Sequence, residues 1–332
     1  IVDAETLRAS GPRVDLSEAL ARVPGLTVNH RHNYAQDLQI SSRGFGARAS
    51  FGVRGLRLYT DGIPASMPDG QGQVSHFDLA GAERIEVLRG PFSALYGNSS
   101  GGVIQVVSAP VRERRAEITL DAGSFGTGQG LLALEAPLSP TPGRGWDLRL
   151  AANYFTTDGF RPHSEANRGA ANLRLGWSGE RDTLSIAYGH FDQPSDDPLG
   201  LTRALFEDDP DQVVPQARLF RTRKVARQDQ IGLTWRREFP AGTALDGSAV
   251  TAYYGRRSVT QWQSIPVAAQ APPTHPGGVI DFDRDYFGLD ARTVWRWTLA
   301  GGRNAELVTG AAFEQAAEDR GGFENFMGAP PN

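Results

Sequence analysis

The chain of 332 residues contains no cysteine, which excludes a disulfide scaffold and any thiolate metal site. It has a single lysine, Lys224; arginine supplies the rest of the permanent positive charge. There is no excess of positive charge: the formal net charge is −4, which argues against nucleic acid as the main partner. No apolar run approaches the roughly 18–20 residues that a membrane-spanning helix needs. That absence does not exclude a membrane barrel, whose strands alternate lipid-facing and lumen-facing residues and give a mild mean hydropathy such as the −0.37 found here. The charged start and apolar core of a signal peptide are also missing at Ile1. The expectation is that a leader has been removed or that the sequence begins inside a longer one.

Glycine (39) and proline (21) are plentiful, as a chain with many turns requires. Two rhythms divide it. Up to about residue 110 the pattern is mixed. Asp15-Leu-Ser-Glu18 predicts a capped helix start, with Leu16, Ala19, Leu20 and Val23 on one face and Pro24-Gly25 as its stop. Leu26–Val28, Leu38–Ser42, Leu56–Tyr59, Arg84–Leu88 and Val103–Val107 read as short strands separated by Gly-rich loops. From about residue 116 the rhythm is period two. Trp146, Leu148, Leu150, Ala152 and Tyr154 alternate with Asp147, Arg149, Ala151 and Asn153. Phe287, Leu289, Ala291, Thr293, Trp295, Trp297 and Leu299 alternate with Asp290, Arg292 and Arg296. A soluble β-sandwich and a membrane barrel both alternate. Strands of about 9–12 residues with aromatics near their ends favour the barrel. Short links near 123–128, 139–145, 178–182, 239–243 and 300–304, set against long ones near 158–168, 193–221 and 258–280, suit a wall with two unlike rims. About nine strands are countable. Bacterial single-chain barrels close with an even number, so the expectation is an N-terminal fragment of a longer protein.

Motifs in order carry a resemblance. Leu16-Ser-Glu-Ala-Leu20 with Val23-Pro-Gly25, Ile40-Ser-Ser-Arg-Gly44, Leu58-Tyr-Thr-Asp-Gly-Ile-Pro64 and Glu83–Ser108 resemble the plug of TonB-dependent outer-membrane receptors. The resemblance implies an α+β plug over residues 1–112. An antiparallel transmembrane β-barrel wall would occupy 113–332, with about nine of an expected 22 strands. It implies energised import rather than catalysis, with no catalytic residues, no cofactor and no resident metal. The implied partners are TonB, through a TonB box preceding residue 1, a small-molecule ligand, and outer-membrane lipid and lipopolysaccharide around a monomer. A narrower resemblance rests on Arg43–Arg48, Phe51–Gly55, Met67–Gln73 and Phe92–Gly102 in the plug. Gln261–Pro266, His275–Asp281 and Gly322–Asn325 extend it into the wall. These pieces resemble the subgroup that includes a receptor for pyrroloquinoline quinone, with a ferric siderophore as the alternative cargo.

The same resemblance makes Arg43 and Arg89 plug arginines that pair with wall glutamates. An Arg fork on a carboxylate would hold a plug yet part under load. Arg48, Arg54, Asp69, Gln71, Gln73 and His76 are candidates for an upward-facing ligand platform, where arginine forks and amides suit a tricarboxylate. Each also reads as loop scaffolding. His30 and His32 read as a solvated pair, because zinc needs further ligands and none lies near in sequence. The acidic-then-basic stretch 193–223 reads as a solvated loop. Gly44-Phe-Gly46 and Gly70-Gln-Gly72 lack the βαβ context of a nucleotide site. Ser93 and Ser99 lack a nucleophile elbow. A soluble β-rich binding protein and a passive porin are the rival readings.

Overall fold

A computed structural model describes residues 1–49, 52–72, 76–90, 96–97, 99–141 and 143–326. The first part of the chain runs β1 (Val2–Asp3), α1 (Ala4–Ala9), α2 (Leu16–Leu20), β2 (Leu26–Asn29), β3 (Gln39–Ser42), β4 (Leu56–Thr60), β5 (Ile63–Pro64), β6 (Ala82–Arg89) and β7 (Gly102–Ser108). Helix α2 begins where its capping box predicts. Asp15 Oδ1 accepts from Ser17 N at 2.7 Å, and Glu18 Oε1 accepts from Asp15 N at 3.1 Å. Glu18 also takes the backbone N–H groups of Arg13 and Val14, so one carboxylate satisfies three donors.

The five-stranded sheet has the order β1-β6-β7-β4-β5, with β4 parallel to β7 through Leu58↔Ile104. Strands β2 and β3 form a separate antiparallel pair. Leu16, Leu20, Ile40, Leu58, Ile85 and Ile104 close a dry core between helix and sheets. Gly102, at φ 125°, sits where an added Cβ would lie 2.1 Å from the Leu88 carbonyl oxygen. Only glycine lets β7 meet β6 there.

The chain leaves this sheet at Ser108 and enters a second one at Arg115. That sheet holds β8 (Arg115–Ala122), β9 (Gly128–Pro137), β10 (Gly145–Thr157), β11 (Ala166–Ser178), β12 (Asp182–Asp196), β13 (Arg223–Glu238), β14 (Leu245–Trp262), β15 (Val279–Thr298) and β16 (Asn304–Phe323). Each pairs antiparallel with its neighbours in sequence, giving nine strands in the order β8 to β16.

This sheet is packed inside out. Leu120, Ile231, Leu289 and Phe287 are exposed on its outer face, while Arg149, Arg168, Gln228 and Arg257 are buried on its inner face, against the N-terminal domain. Among the described residues no second sheet covers the outer apolar face, which removes the sandwich reading. Trp146, Trp177, Trp235 and Trp297 stand at the short-turn end of their strands. Tyr154, Tyr188 and Tyr254 stand toward the other end. Their hydroxyls donate to Asn167, Asp229 and Asp285 on neighbouring strands. Aromatic girdles bordering an apolar band are the mark of a membrane barrel wall.

Two details differ from expectation. Strands β15 and β16 reach 20 residues each, because ladder pairing continues past the apolar band through charged positions such as Asp281, Asp283 and Asp285. The short 123–127 link belongs to the same rim as the long connections 158–165, 197–222 and 263–278, since strand direction alternates strictly. Within 197–222 the chain forms α3 (Arg203–Asp208) and α4 (Pro215–Phe220), and within 263–278 it forms α5 (Val267–Gln270).

Candidate functional site

Segments 30–38, 43–49, 52–55 and 65–72 of the N-terminal domain reach toward the long-loop rim. Asp37 joins them to the wall. Its Oδ1 accepts from Lys224 Nζ at 2.6 Å, it takes the Gly52 N–H, and Arg257 lies close by. The Lys224 and Asp37 side chains are only 11% and 15% exposed. Burial alone would raise the Asp37 carboxyl, but Lys224 and Arg257 outweigh it and hold the group below the usual carboxylate range. Asp197 of the outer connection accepts from Asn33 Nδ2 at 2.7 Å and Gln36 Nε2 at 2.6 Å. An aromatic run lies alongside. His30 and Tyr34 are 5.1 Å apart, Tyr34 and Phe155 5.1 Å, and His32 and Phe160 6.2 Å. A crevice of about 280 Å3 opens between 31–36 and the outer segments 160–161 and 197–200. Read from sequence, His30 and His32 were a solvated pair. Folding places them on the rim beside aromatic wall residues, and the His/Tyr density of 30–34 was the signal available.

The residues expected to form a platform divide. Arg54 Nη2 lies 3.5 Å from Asp69 Oδ2, Asp69 Oδ1 accepts from Gln71 N at 3.0 Å, and Arg284 of β15 lies 3.9 Å from Asp69. These three therefore cluster near the rim. Arg48 is exposed on the same loop system, which Gln39 Nε2 braces by donating to the Ala47 and Ala49 carbonyls. Gln73 lies outside the described residues, as do Phe51, 91–95 and Asn98 of the quoted motifs. His76 does not join the cluster. It is half-buried, stacks on Phe77 with ring centroids 5.2 Å apart, and lines an inner cavity with Asp78 and Arg149. Burial first, then Arg257 and Arg168, push its pKa down to about 3, so it is neutral.

Residues 1–103 match the family described as TonB-dependent Receptor Plug Domain. These residues are a TonB-dependent receptor plug. The unliganded ferric citrate transporter FecA is similar over 98% of this chain and 48% of its own, with a TM-score of 0.75 and 19% identity, which carries the fold of plug and wall together. The vitamin B12 transporter BtuB of Vibrio vulnificus is 28% identical over 148 residues, 44% of this chain and 23% of that protein. The metal-pseudopaline receptor CntO of Pseudomonas aeruginosa is 31% identical over 115 residues, 34% of this chain and 16% of that protein. The chain thus spans about half the length of the solved transporter and aligns with less than a quarter of these curated relatives. A plug of this family against a girdled wall locates the chain in the cell outer membrane.

Several contacts hold the plug to the wall. Arg57 pairs with Glu314, which also accepts from Tyr253 Oη at 2.9 Å. Arg13 reaches Glu117 at 3.1 Å. Arg149 of β10 donates to the plug carbonyls of Gly81 and Ala109, both at 2.9 Å. Among the described residues, neither Arg43 nor Arg89 meets a wall carboxylate. Arg43 occupies a left-handed turn at φ 50°, and Arg89 Nη1 donates to the Pro24 carbonyl at 2.6 Å inside the plug. The wall segments 261–266 and 275–281 both meet 322–325, well beyond them in the chain, at Phe323 and Asn325. Asn325 Nδ2 donates to the Gln263 and Phe220 carbonyls, both at 3.0 Å, Gln270 Oε1 accepts from Asn325 N, and Gly278 N donates to Phe323 O.

Proposed function

We propose that this chain is the plug and part of the wall of a receptor that imports a small ligand across the outer membrane, driven by TonB, with pyrroloquinoline quinone as cargo. The observation that carries the import reading is a plug whose loops reach the long-loop rim while its body is held to a membrane wall by separable polar contacts. For the cargo, the exposed Arg48 and Arg54, the latter at the Asp69 turn that also holds Gln71, are the forked and amide donors that a planar tricarboxylate would take. The wall segments that carry the subgroup resemblance meet around Phe323 and Asn325, which is compatible with their acting as one loop unit. Arg43 and Arg89 are proposed to anchor the plug. A ferric siderophore is the second reading, favoured by the aromatic run from His30 to Phe160.

Calorimetry of the full-length receptor with the quinone and with a panel of ferric siderophores tests both. Arg48→Ala and Arg54→Ala should each weaken quinone binding about tenfold or more, the loss expected of a charge-assisted hydrogen bond. No heat with the quinone beside tight siderophore binding would replace the first reading by the second. Unchanged affinity in both variants would remove these arginines from the site.

A further inference from the structure

At the long-loop rim, connections distant in the chain close on two small polar centres. The first is Asn325, which is buried. Its Nδ2 donates to the Phe220 carbonyl and to the Gln263 carbonyl, each at 3.0 Å. Gln270, also buried, takes its backbone: Oε1 accepts from Asn325 N at 2.7 Å, and Nε2 donates to Asn325 O at 3.1 Å. The chain just past β16 is thereby tied to α4 in one outer connection and to α5 in another. The backbones also approach closely. A Cβ added at Gly322 would lie 2.1 Å from the Pro276 carbonyl oxygen.

The second centre is Thr222, which is fully buried. Its N–H donates to Ala217 O at 3.0 Å, its Oγ1 donates to Asp197 O at 2.6 Å, and its carbonyl accepts from Asp197 N at 2.8 Å. The connection 158–165 joins here. His163 Nε2 lies 2.8 Å from Thr222 O, and Arg161 donates to the carbonyls of Gln212, Leu199 and Pro198. Asp197 then carries the series to the plug, where its carboxylate accepts from Asn33 and Gln36. Helix α4 links the two centres, since Phe220 meets Asn325 and Ala217 meets Thr222. Ala217 and Phe220 are buried but belong to none of the apolar cores, so hydrogen bonds supply most of the hold. Most of these contacts end on a carbonyl of a different connection. Loosening one segment therefore leaves buried acceptors unmade in the next. Segments that share contacts in this way open as one unit.

We propose that 158–165, 197–222, 263–278 and 322–326 form one cooperative body, latched at Asn325 and moored to the plug at Asp197, which orders and loosens as a whole. Withdrawal of plug segment 33–36 then loosens outer connections that the segment never touches. Arg161 and residues 197–200 form one side of the rim crevice, so the same body decides whether that crevice is present. The inference concerns the outer connections themselves and holds whichever cargo is imported.

Amide hydrogen exchange of the full-length receptor in detergent, read by mass spectrometry without any cargo, tests this. Asn325→Ala should speed exchange about tenfold or more, the scale of buried hydrogen bonds left unmade, in 158–165, 215–222 and 263–270 alike. Strands β10–β13 should keep their protection. If Asn325→Ala disturbs those strands, Gln270→Ala replaces it, because it cuts the same latch from the α5 side. The double variant Asn33→Ala, Gln36→Ala changes only the plug, yet it should speed exchange in the same three segments. Faster exchange confined to 322–326 in the latch variant would overturn the proposal. So would outer connections that exchange at the parent rate in the plug variant.

Discussion

The plug and the wall are both made of strands, yet they bury opposite faces. In the plug, Leu58, Ile85 and Ile104 turn inward and meet one another in a core from which water is excluded. In the wall, Leu233 and Leu289 turn outward, and Arg149, Gln228 and Arg257 turn in. The alternation rule is the same; what differs is the solvent on each side. Inner and outer faces of the wall are both satisfied only because lipid accepts the apolar residues and the plug supplies polar partners for the charged ones. The seam between the two regions is consequently polar, unlike the interior of either a soluble domain or a lipid-facing surface.

That contrast can be broken most strongly at the seam. Lys224→Met leaves Asp37 buried without its closest partner, and removal of one member of a buried pair costs about 3–5 kcal/mol. Chemical denaturation of the full-length receptor in detergent should show this as earlier plug release. The pH profile sharpens the point. The folded Asp37 carboxyl titrates below its unfolded value, so its contribution is fully present above the ordinary carboxylate range and is lost as pH falls through the lowered folded value. Lys224→Met should move that acid transition to higher pH, whereas an unmoved transition would deny Asp37 its role.

A somewhat smaller effect tests which face meets lipid. Leu233→Arg puts a charge into the apolar band at about 2–4 kcal/mol if it lies near the bilayer midplane. Gln230→Arg, on the inner face, keeps a donor for the Pro64 carbonyl and should fold normally. Equal losses in a folding assay in lipid would mean that the two faces share one environment. The smallest effect lies within the plug. Asp15→Ala removes a helix cap worth about 1 kcal/mol, so thermal unfolding should shift slightly while wall assembly is unaffected.

The wall was legible because period-two alternation survives in any single strand, as in Trp146–Tyr154. Its strand lengths were not, because backbone pairing continues through Asp281–Asp285, where hydrophobic pattern is lost. The plug elements α2, β3, β4, β6 and β7 stood out through capping residues and β-branched runs. The two-residue strands β1 and β5 are too short for any pattern, and α3 and α4 carry no long amphipathic stripe. Site residues were legible only where partners are local. Asp69 and Gln71 sit two apart, whereas Asp37 and Lys224 are separated by 187 positions and nothing in either neighbourhood announces the pair. His76 was placed among the rim loops by its nearness in sequence to Asp69, but in the fold it stacks on Phe77 and lines a cavity with Asp78.

Strand β1 joins the plug sheet through only two residue pairs, Val2↔Ile85 and Asp3↔Arg84, at the outermost edge beside β6. A tension applied at residue 1 meets that edge before it meets the parallel β4–β7 ladder at the centre. The first mechanical event is then a peeling of two pairs, followed by a load on α1 at Leu7, with the central strands strained last. Under the import reading proposed above, a plug pulled from this side would yield strand by strand from its β1 edge and not shear as a block.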